Sequence, residues 1–167
     1  MAKPKDGAKI IILSPDKILL FHRDDIPTIN APDCWQLVGG GIEEGETPEQ
    51  GLIREVKEEA SYDLKEFKLI TKTKGSQSED VWVYVTFVGK NEESKFVLGP
   101  GEGQEIGWFT IDEALAIKLT PGTRILLSKY RDLIENIMKT KLIPSLEKLD
   151  LIPKKVPPTN SSDFSSR

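Results

Sequence analysis

A chain of 167 residues with 38% hydrophobic and 30% charged composition holds enough apolar material for one proper core and is short for two domains. Its 27 acidic residues outnumber 23 basic ones, and the net charge of -4 offers no general attraction to a polyanion, which argues against duplex nucleic acid as the main partner. Cys34 is the only cysteine, so an internal disulfide and a cysteine zinc cluster are both excluded, and the thiol is expected to pack rather than react.

The opening "MAKPKDGAKIIIL" lacks the apolar length of a signal peptide, and no later segment is long enough to span a bilayer, so a soluble, cytoplasmic protein is expected. Residues 1–8 read as an N-terminal tail. Two β-rich runs, "AKIIILS" and "KILLFHR", flank the turn formers Ser14, Pro15 and Asp16 and predict paired strands. The loop "DDIPTINAPDC" leads into "WQLVGGG", a third short strand whose glycines allow a sharp turn or close approach to a ligand. Thr47 as N-cap, Pro48 at the first helical position and Gln50 completing a capping box start a helix whose apolar face is Leu52, Ile53, Val56 and Ala60.

"EFKLITKTKG" and "DVWVYVTFVGK" predict two more strands, the second alternating Trp82, Tyr84 and Thr86 against Val81, Val83, Val85 and Phe87. The glycine-rich "GPGEGQEIGWFT" then approaches another short strand. Thr110 and Glu113 form a second capping box, and Thr120 with Pro121 starts one final helix in which Leu126, Tyr130, Leu133 or Ile134, and Ile137 recur at helical spacing and face the sheet. The domain is expected over 9–140, followed by a Pro- and Ser-rich, flexible C-terminal tail over 141–167. No internal repeat is apparent.

The first helix carries a problem in electrostatics. Glu55, Glu58 and Glu59 are related by steps of three and four and project from one side, where same-sign pairs destabilise a bare helix by roughly 0.2–0.5 kcal/mol each. Lys57 projects away from them, so the repulsion needs another cation. Beside the apolar face these carboxylates make a hard oxygen site suited to Mg²⁺, or alternatively Mn²⁺. Such an ion neutralises phosphoryl oxygens and lowers the pKa of water. An arbitrary acidic run is far more often a solvated helix face, but here the flanking residues reverse that weighting.

From Gly40 the chain reads Gly, five residues, Glu46, seven residues, then Arg54, Glu55, Val56, Lys57, Glu58 and Glu59. This closely resembles the Nudix box, and the chain is identified as MutT-like on many fixed positions at fixed spacing. Weaker similarity through "WQLVGG" and "EGQEIGWFTIDEAL" extends the resemblance over about residues 9–139. It implies an α/β fold, an α/β/α sandwich with a mixed, curved sheet between the box helix and the C-terminal helix. It also implies Mg²⁺-dependent hydrolysis of a diphosphate linkage in a small-molecule nucleotide, releasing a nucleoside monophosphate plus pyrophosphate or a phosphorylated remainder.

Residue by residue, the resemblance makes Glu55, Glu58 and Glu59 metal ligands, together with the backbone carbonyl of Gly39. It has Arg54 hold the carboxylates and gives Glu46 a structural part. The late glutamate that reaches the metals matches Glu102 best, with Glu105 as its rival. The resemblance makes Glu55 a candidate for the general base, with Glu102 as the alternative. Arg23 is implied to contact substrate phosphate, against the alternative of a solvated strand-end arginine. Trp35, Trp82, Tyr84 and Trp108 are aromatic candidates for stacking on a base, although aromatics in strands usually belong to cores. His22, the only histidine, is expected to pack or face solvent.

Two departures from the box are Ser61, in place of its closing glycine, and Val38, in place of a proline. In the resembling guanine-nucleotide sanitiser an aromatic residue stands at the position of Leu37, and an asparagine stands where this chain has Thr123 or Arg124, so weak or broad base selectivity is expected. A catalytically silent Nudix domain that senses nucleotides or binds protein is the alternative function, and the retained glutamates count against it. Neither the leaving group nor an oligomeric state is specified.

Overall fold

The computed structural model describes residues 3–145. Along the chain these form β1 (Gly7–Leu13), β2 (Ile18–His22), β3 (Trp35–Gln36), β4 (Val38–Gly41), α1 (Pro48–Ala60), β5 (Lys68–Lys74), β6 (Asp80–Phe87), a 3₁₀ helix (Lys90–Lys95), β7 (Glu105–Phe109), α2 (Ile111–Ala116), α3 (Pro121–Lys129) and α4 (Arg131–Thr140). The expected tail falls mostly on residues 146–167, outside the described residues.

The strands make one mixed, open sheet in the order β3-β2-β1-β6-β5, with β4 also on β1 and β7 also on β2. β1 and β6 run parallel from Gly7 opposite Val81 to Leu13 opposite Phe87, and the remaining pairs are antiparallel. The paired strands expected from the first two runs meet only where Leu13 faces Ile18. Beyond that point β1 takes β4 instead, with Ile10 opposite Val38 and Lys9 opposite Gly39. The expected single strand "WQLVGGG" is therefore two: its first half pairs with β2, its second with β1, and the change occurs at Leu37. This switch carries the glycines into the gap where β1 and β2 part.

Both faces of the sheet are covered, which explains why β6 is apolar on both. Val83 and Val85 join Ile11, Leu13, Leu127, Ile134 and Ile137 under α3 and α4, while Tyr84 joins Ile10, Ile12, Leu52, Val56 and Ala60 under α1. The result is an α/β/α sandwich. Cys34 is buried, as its hydrophobic character suggests. No helix among the described residues is long and apolar enough to cross a membrane.

The capping boxes at Thr47 and Thr110 form as read from the sequence. α1 ends at Ser61 in the left-handed region, φ 54° and ψ 29°, where glycine would carry less strain. Ile53 is a correction, being 41% exposed; it lies one position past Leu52, at the edge of an apolar stripe too narrow to include it. The final helix is a second correction. It breaks at Tyr130, φ −103° and ψ 18°, into α3 and α4. Neither glycine nor proline marks the break. Tyr130 N–H still donates to Leu126 and its carbonyl accepts from Ile134, but the N–H groups of Arg131, Asp132 and Leu133 make no backbone bond back to α3, and Tyr130 is buried against the sheet.

Candidate active site

The cation demanded by the glutamate cluster is Arg54. Nε and Nη2 grip both oxygens of Glu46 at 2.8 and 3.0 Å, and Nη2 also donates to the Gly41 carbonyl at 2.9 Å. Nη1 divides its protons between Glu55 Oε2 at 2.9 Å and Glu58 Oε1 at 3.0 Å. Every guanidinium N–H is thus used, two of them in the fork that suits a carboxylate. These hydrogen bonds raise the Arg54 pKa, Glu46 contributing most, and the same pairing draws Glu46 down to about 2. Glu46 and Arg54 form the structural half of the motif.

The other oxygens of Glu55 and Glu58 have no protein donor among the described residues. Glu59 lies deeper, 6% exposed, with Oε1 accepting the Gly39 N–H at 3.0 Å. Burial pushes its pKa well above the carboxylate range against the opposing pull of Lys9 and the Gly39 N–H, and Glu55 and Glu102 push further. Gly39 itself has φ +133°, and any Cβ there would collide with the Ala8 carbonyl. A side chain at Gly40 would come within 2.6 Å of the Glu55 carboxylate. The consecutive glycines are there because β4 passes flush against both β1 and the carboxylates.

The two late glutamates go to different places. Gly99 N–H bonds the Glu59 carbonyl at 3.0 Å and Glu102 N–H bonds the Gly99 carbonyl at 3.2 Å, which docks this loop on the end of α1. Glu102 then lines a cleft of about 200 Å³ with Glu59, Arg23, Asp24 and Gln36. Burial raises the Glu102 pKa, with Glu55, Glu58 and Asp24 adding to it. Glu105 turns away to His22 Nδ1, 3.1 Å distant.

Arg23 reaches the cleft, but its donors hold the β2–β3 loop through the carbonyls of Ala31 at 3.1 Å and Asn30 at 2.6 Å and through Gln36 Oε1 at 3.3 Å. His22 is stacked on Trp35, with centroids 4.4 Å apart, and its Nε2 lies 2.8 Å from Asp33, latching the other end of that loop. Trp35 also meets Phe109 edge-on. Its ring is thereby placed among core aromatics, and it lines neither the cleft nor the cavity beside it. Trp82, Tyr84 and Trp108 likewise pack in the apolar layer under α1.

Leu37 is buried on the other side of the strand and lines a second cavity, about 220 Å³, beneath α3. Thr123 is there too, its Oγ1 accepting from Leu37 N–H at 3.1 Å. Arg124 instead donates to the carbonyls of Leu115 and Ile117, both at 2.8 Å. Two larger grooves, about 500 and 740 Å³, lie beyond Ser61 and along Phe67, away from the three box glutamates.

Sequence reading missed Lys9. Its Nζ donates to the Gly39 carbonyl at 3.0 Å, and burial lowers its pKa while Glu59 opposes the shift. A lysine within an otherwise apolar strand was the available signal.

Among the described residues no three acidic, histidine or cysteine side chains converge into a ready-made metal site. Mg²⁺ keeps waters and binds through one or two carboxylates together with substrate phosphates, so part of such a set can hold it. Glu55, Glu58, Glu59 and Glu102 with the Gly39 carbonyl supply only hard oxygen donors, and each carboxylate retains an oxygen with no protein hydrogen bond among the described residues.

Residues 3–130 match the NUDIX domain family. Dihydroneopterin triphosphate diphosphatase of Escherichia coli (strain K12) is 49% identical over 47 residues, 28% of this chain and 27% of that protein. The match therefore spans about a quarter of that relative's length. RNA pyrophosphohydrolase of Rickettsia africae is 29% identical over 133 residues, 68% of this chain and 79% of the relative. Among solved structures, the NUDIX domain of Shewanella oneidensis NrtR complexed with ADP ribose superposes with a TM-score of 0.66 at 16% identity, covering 79% of this chain and 89% of that one. A mutT/nudix family protein from Listeria innocua gives 0.66 at 21% identity, with 81% and 97% covered.

Proposed function

The chain belongs to the Nudix family, and from that premise we propose that it hydrolyses a phosphoanhydride bond in a nucleoside di- or triphosphate derivative. Relatives named dihydroneopterin triphosphate diphosphatase and RNA pyrophosphohydrolase support a diphosphate linkage as the target. The observation that carries the reading is a cleft lined by Glu59 and Glu102, with Glu55 and Glu58 close enough to raise the Glu102 pKa and each held by Arg54 through a single oxygen.

Glu55, Glu58, Glu59, Glu102 and the Gly39 carbonyl are the groups that would hold Mg²⁺ or Mn²⁺. A divalent cation there would neutralise phosphoryl oxygens and make water more acidic. Arg54 fixes Glu55 and Glu58 through one oxygen each, leaving the other without a protein donor among the described residues. Arg23 lends positive charge to the phosphate end while its donors keep the β2–β3 loop in place. Water attacks phosphorus, the bridging P–O bond breaks, and the departing phosphate or pyrophosphate takes the electron pair.

Water's proton passes to a carboxylate, Glu55 or Glu102. Burial raises the pKa of Glu102, the direction that favours taking up a proton. Leu37 borders the moiety beyond the phosphates, and Trp35 supports the loop from behind. The test is product chromatography with a panel of nucleotides, nucleotide sugars and dinucleoside polyphosphates, with and without Mg²⁺. Metal-dependent release of a nucleoside monophosphate is expected. Nucleotide binding with no hydrolysis of any member would favour the silent, sensing domain.

A further inference from the structure

None of the glutamates lines the cavity beneath α3, yet it adjoins their cleft at Gln36, which borders both. At about 220 Å³ it falls below the ~300–1,000 Å³ of pockets for drug-sized ligands, which suits one ring system rather than a whole nucleotide. Leu37, Val81, Ile125 and Leu126 give it apolar walls.

Its charged lining is one-sided. Lys9 and Lys74 border it, and no aspartate or glutamate does. Lys74 is committed to Asp80 at 2.7 Å. Lys9 gives one proton to the Gly39 carbonyl at 3.0 Å, and its other two have no acceptor among the described residues. Thr123 Oγ1 accepts from Leu37 N–H and from Thr120 Oγ1, at 3.1 and 2.9 Å, which leaves its own proton to give. Unused donors in a half-buried site are costly, and a ligand acceptor recovers that cost, whereas a ligand amine would set donor against donor.

On the hydrolytic reading above, we propose that Lys9 is a specificity-determining residue that selects, for the moiety beyond the phosphates, a heterocycle presenting a lactam carbonyl over one presenting an exocyclic amine in its place. Guanine and hypoxanthine belong to the first class and adenine to the second. The carbonyl accepts from Lys9 Nζ while the ring lies against Leu37 and Leu126. Selectivity of this kind comes from donors left unpaired by the wrong ligand.

The test compares kcat/KM for GTP, ITP and ATP under identical Mg²⁺ conditions in the full chain and in Lys9→Met. ITP carries the carbonyl without the 2-amino group and so isolates it. The wild type should prefer GTP and ITP to ATP by about tenfold or more, and Lys9→Met should bring the three within about twofold of one another. The ratio cancels any shared effect of losing the charge beside Glu59. No preference in the wild type, or an unchanged ratio in the variant, overturns the assignment.

Calorimetric binding of GMP and AMP in metal-free buffer reads the same cavity without hydrolysis. A GMP preference that Lys9→Met abolishes supports Lys9 even if no triphosphate is cleaved, in which case only the hydrolytic reading fails. Cleavage with no base preference does the reverse. Should Lys9→Met fail to fold, as judged by circular dichroism, the wild-type GMP-to-AMP ratio and Lys9→Gln decide the matter.

Discussion

Replacing Glu59 by glutamine should stabilise the metal-free protein while abolishing its turnover. Glu59 is 6% exposed, and its burial, with Glu55 and Glu102 nearby, lifts its pKa from 4.5 to about 7 in spite of Lys9 and the Gly39 N–H. A shift of roughly 2.5 units corresponds to a ceiling of about 3 kcal/mol. The folded state holds a proton that the unfolded state has released, so this contribution is fully present below pH 4.5 and is lost as pH rises to about 7. Glutamine keeps an acceptor for the Gly39 N–H and carries no charge to bury. Lys9 loses a neighbouring anion in exchange, which reduces the expected net gain at pH 8 to about 1–2 kcal/mol. Thermal melts in chelator at pH 4.5, 6 and 8 measure it, at about 2–4 °C per kcal/mol for a chain of this size. The variant's advantage should open across that interval, and added Mg²⁺ or Mn²⁺ should raise the wild-type midpoint alone. A difference in midpoint that stays constant with pH would refute the argument, because Glu59 would then carry no charge-burial cost.

Glu58→Gln should reduce kcat by about a hundredfold or more, with the fold retained, since Glu58 is an exposed oxygen donor held only through Arg54; near-normal turnover at saturating Mg²⁺ would remove it from the metal set. Arg54→Lys should cost about 1–2 kcal/mol in urea unfolding, discounted for partial exposure, because an ammonium cannot grip Glu46 in a fork and still reach Glu55, Glu58 and Gly41. Removal of residues 146–167 should leave metal-dependent hydrolysis intact, whereas truncation after Thr140 also strips Ile143 from the apolar layer under α4 and should lower stability by about 1 kcal/mol; unfolding of the first truncation would show that the domain needs the longer segment. The ratio of kcat/KM for 8-oxo-dGTP over dGTP should stay well below a thousandfold, since Leu37 is aliphatic and Arg124 is tied to Leu115 and Ile117.

Local chemistry was the legible part. Both capping boxes and the alternation along β6 are written in residues within one turn or one strand of each other, so a linear reading recovers them. The box spacing likewise brought out Arg54 and the three glutamates, because one helix carries all four. Contacts made across the sheet were not legible in the same way. Lys9 and Gly39 are 30 residues apart and meet only because β4 pairs with β1. The break at Tyr130 has no glycine or proline to announce it. It arises from tertiary packing, where burying Tyr130 alongside Leu133, Ile134 and Ile137 outweighs a continuous helix. Between Glu102 and Glu105 the spacing alone did not choose. The chain turns at Gly103 and enters β7, which sends Glu105 along the strand toward His22 and leaves Glu102 on the cleft.

Like charges are tolerable on α1 because Arg54 answers only part of the repulsion. It neutralises Glu46 fully and takes one oxygen each from Glu55 and Glu58, but it does not touch Glu59, whose charge is opposed only by Lys9 across the strand. Six carboxylates, counting Asp24 and Glu102, therefore face three cations, Arg54, Lys9 and Arg23. A polyphosphate entering such a cleft would be repelled, since each phosphate adds charge of the sign already in excess. A divalent cation reverses that balance, which makes substrate affinity depend on metal before any chemistry begins. Nucleotide binding at the phosphate end should then strengthen steeply with Mg²⁺ concentration, while binding of a monophosphate through the cavity beneath α3 should depend on it far less. Calorimetry of a non-hydrolysable triphosphate against the matching monophosphate, each across a Mg²⁺ series, separates the two. Equal metal dependence for both ligands would mean that cleft and cavity do not divide the substrate in this way.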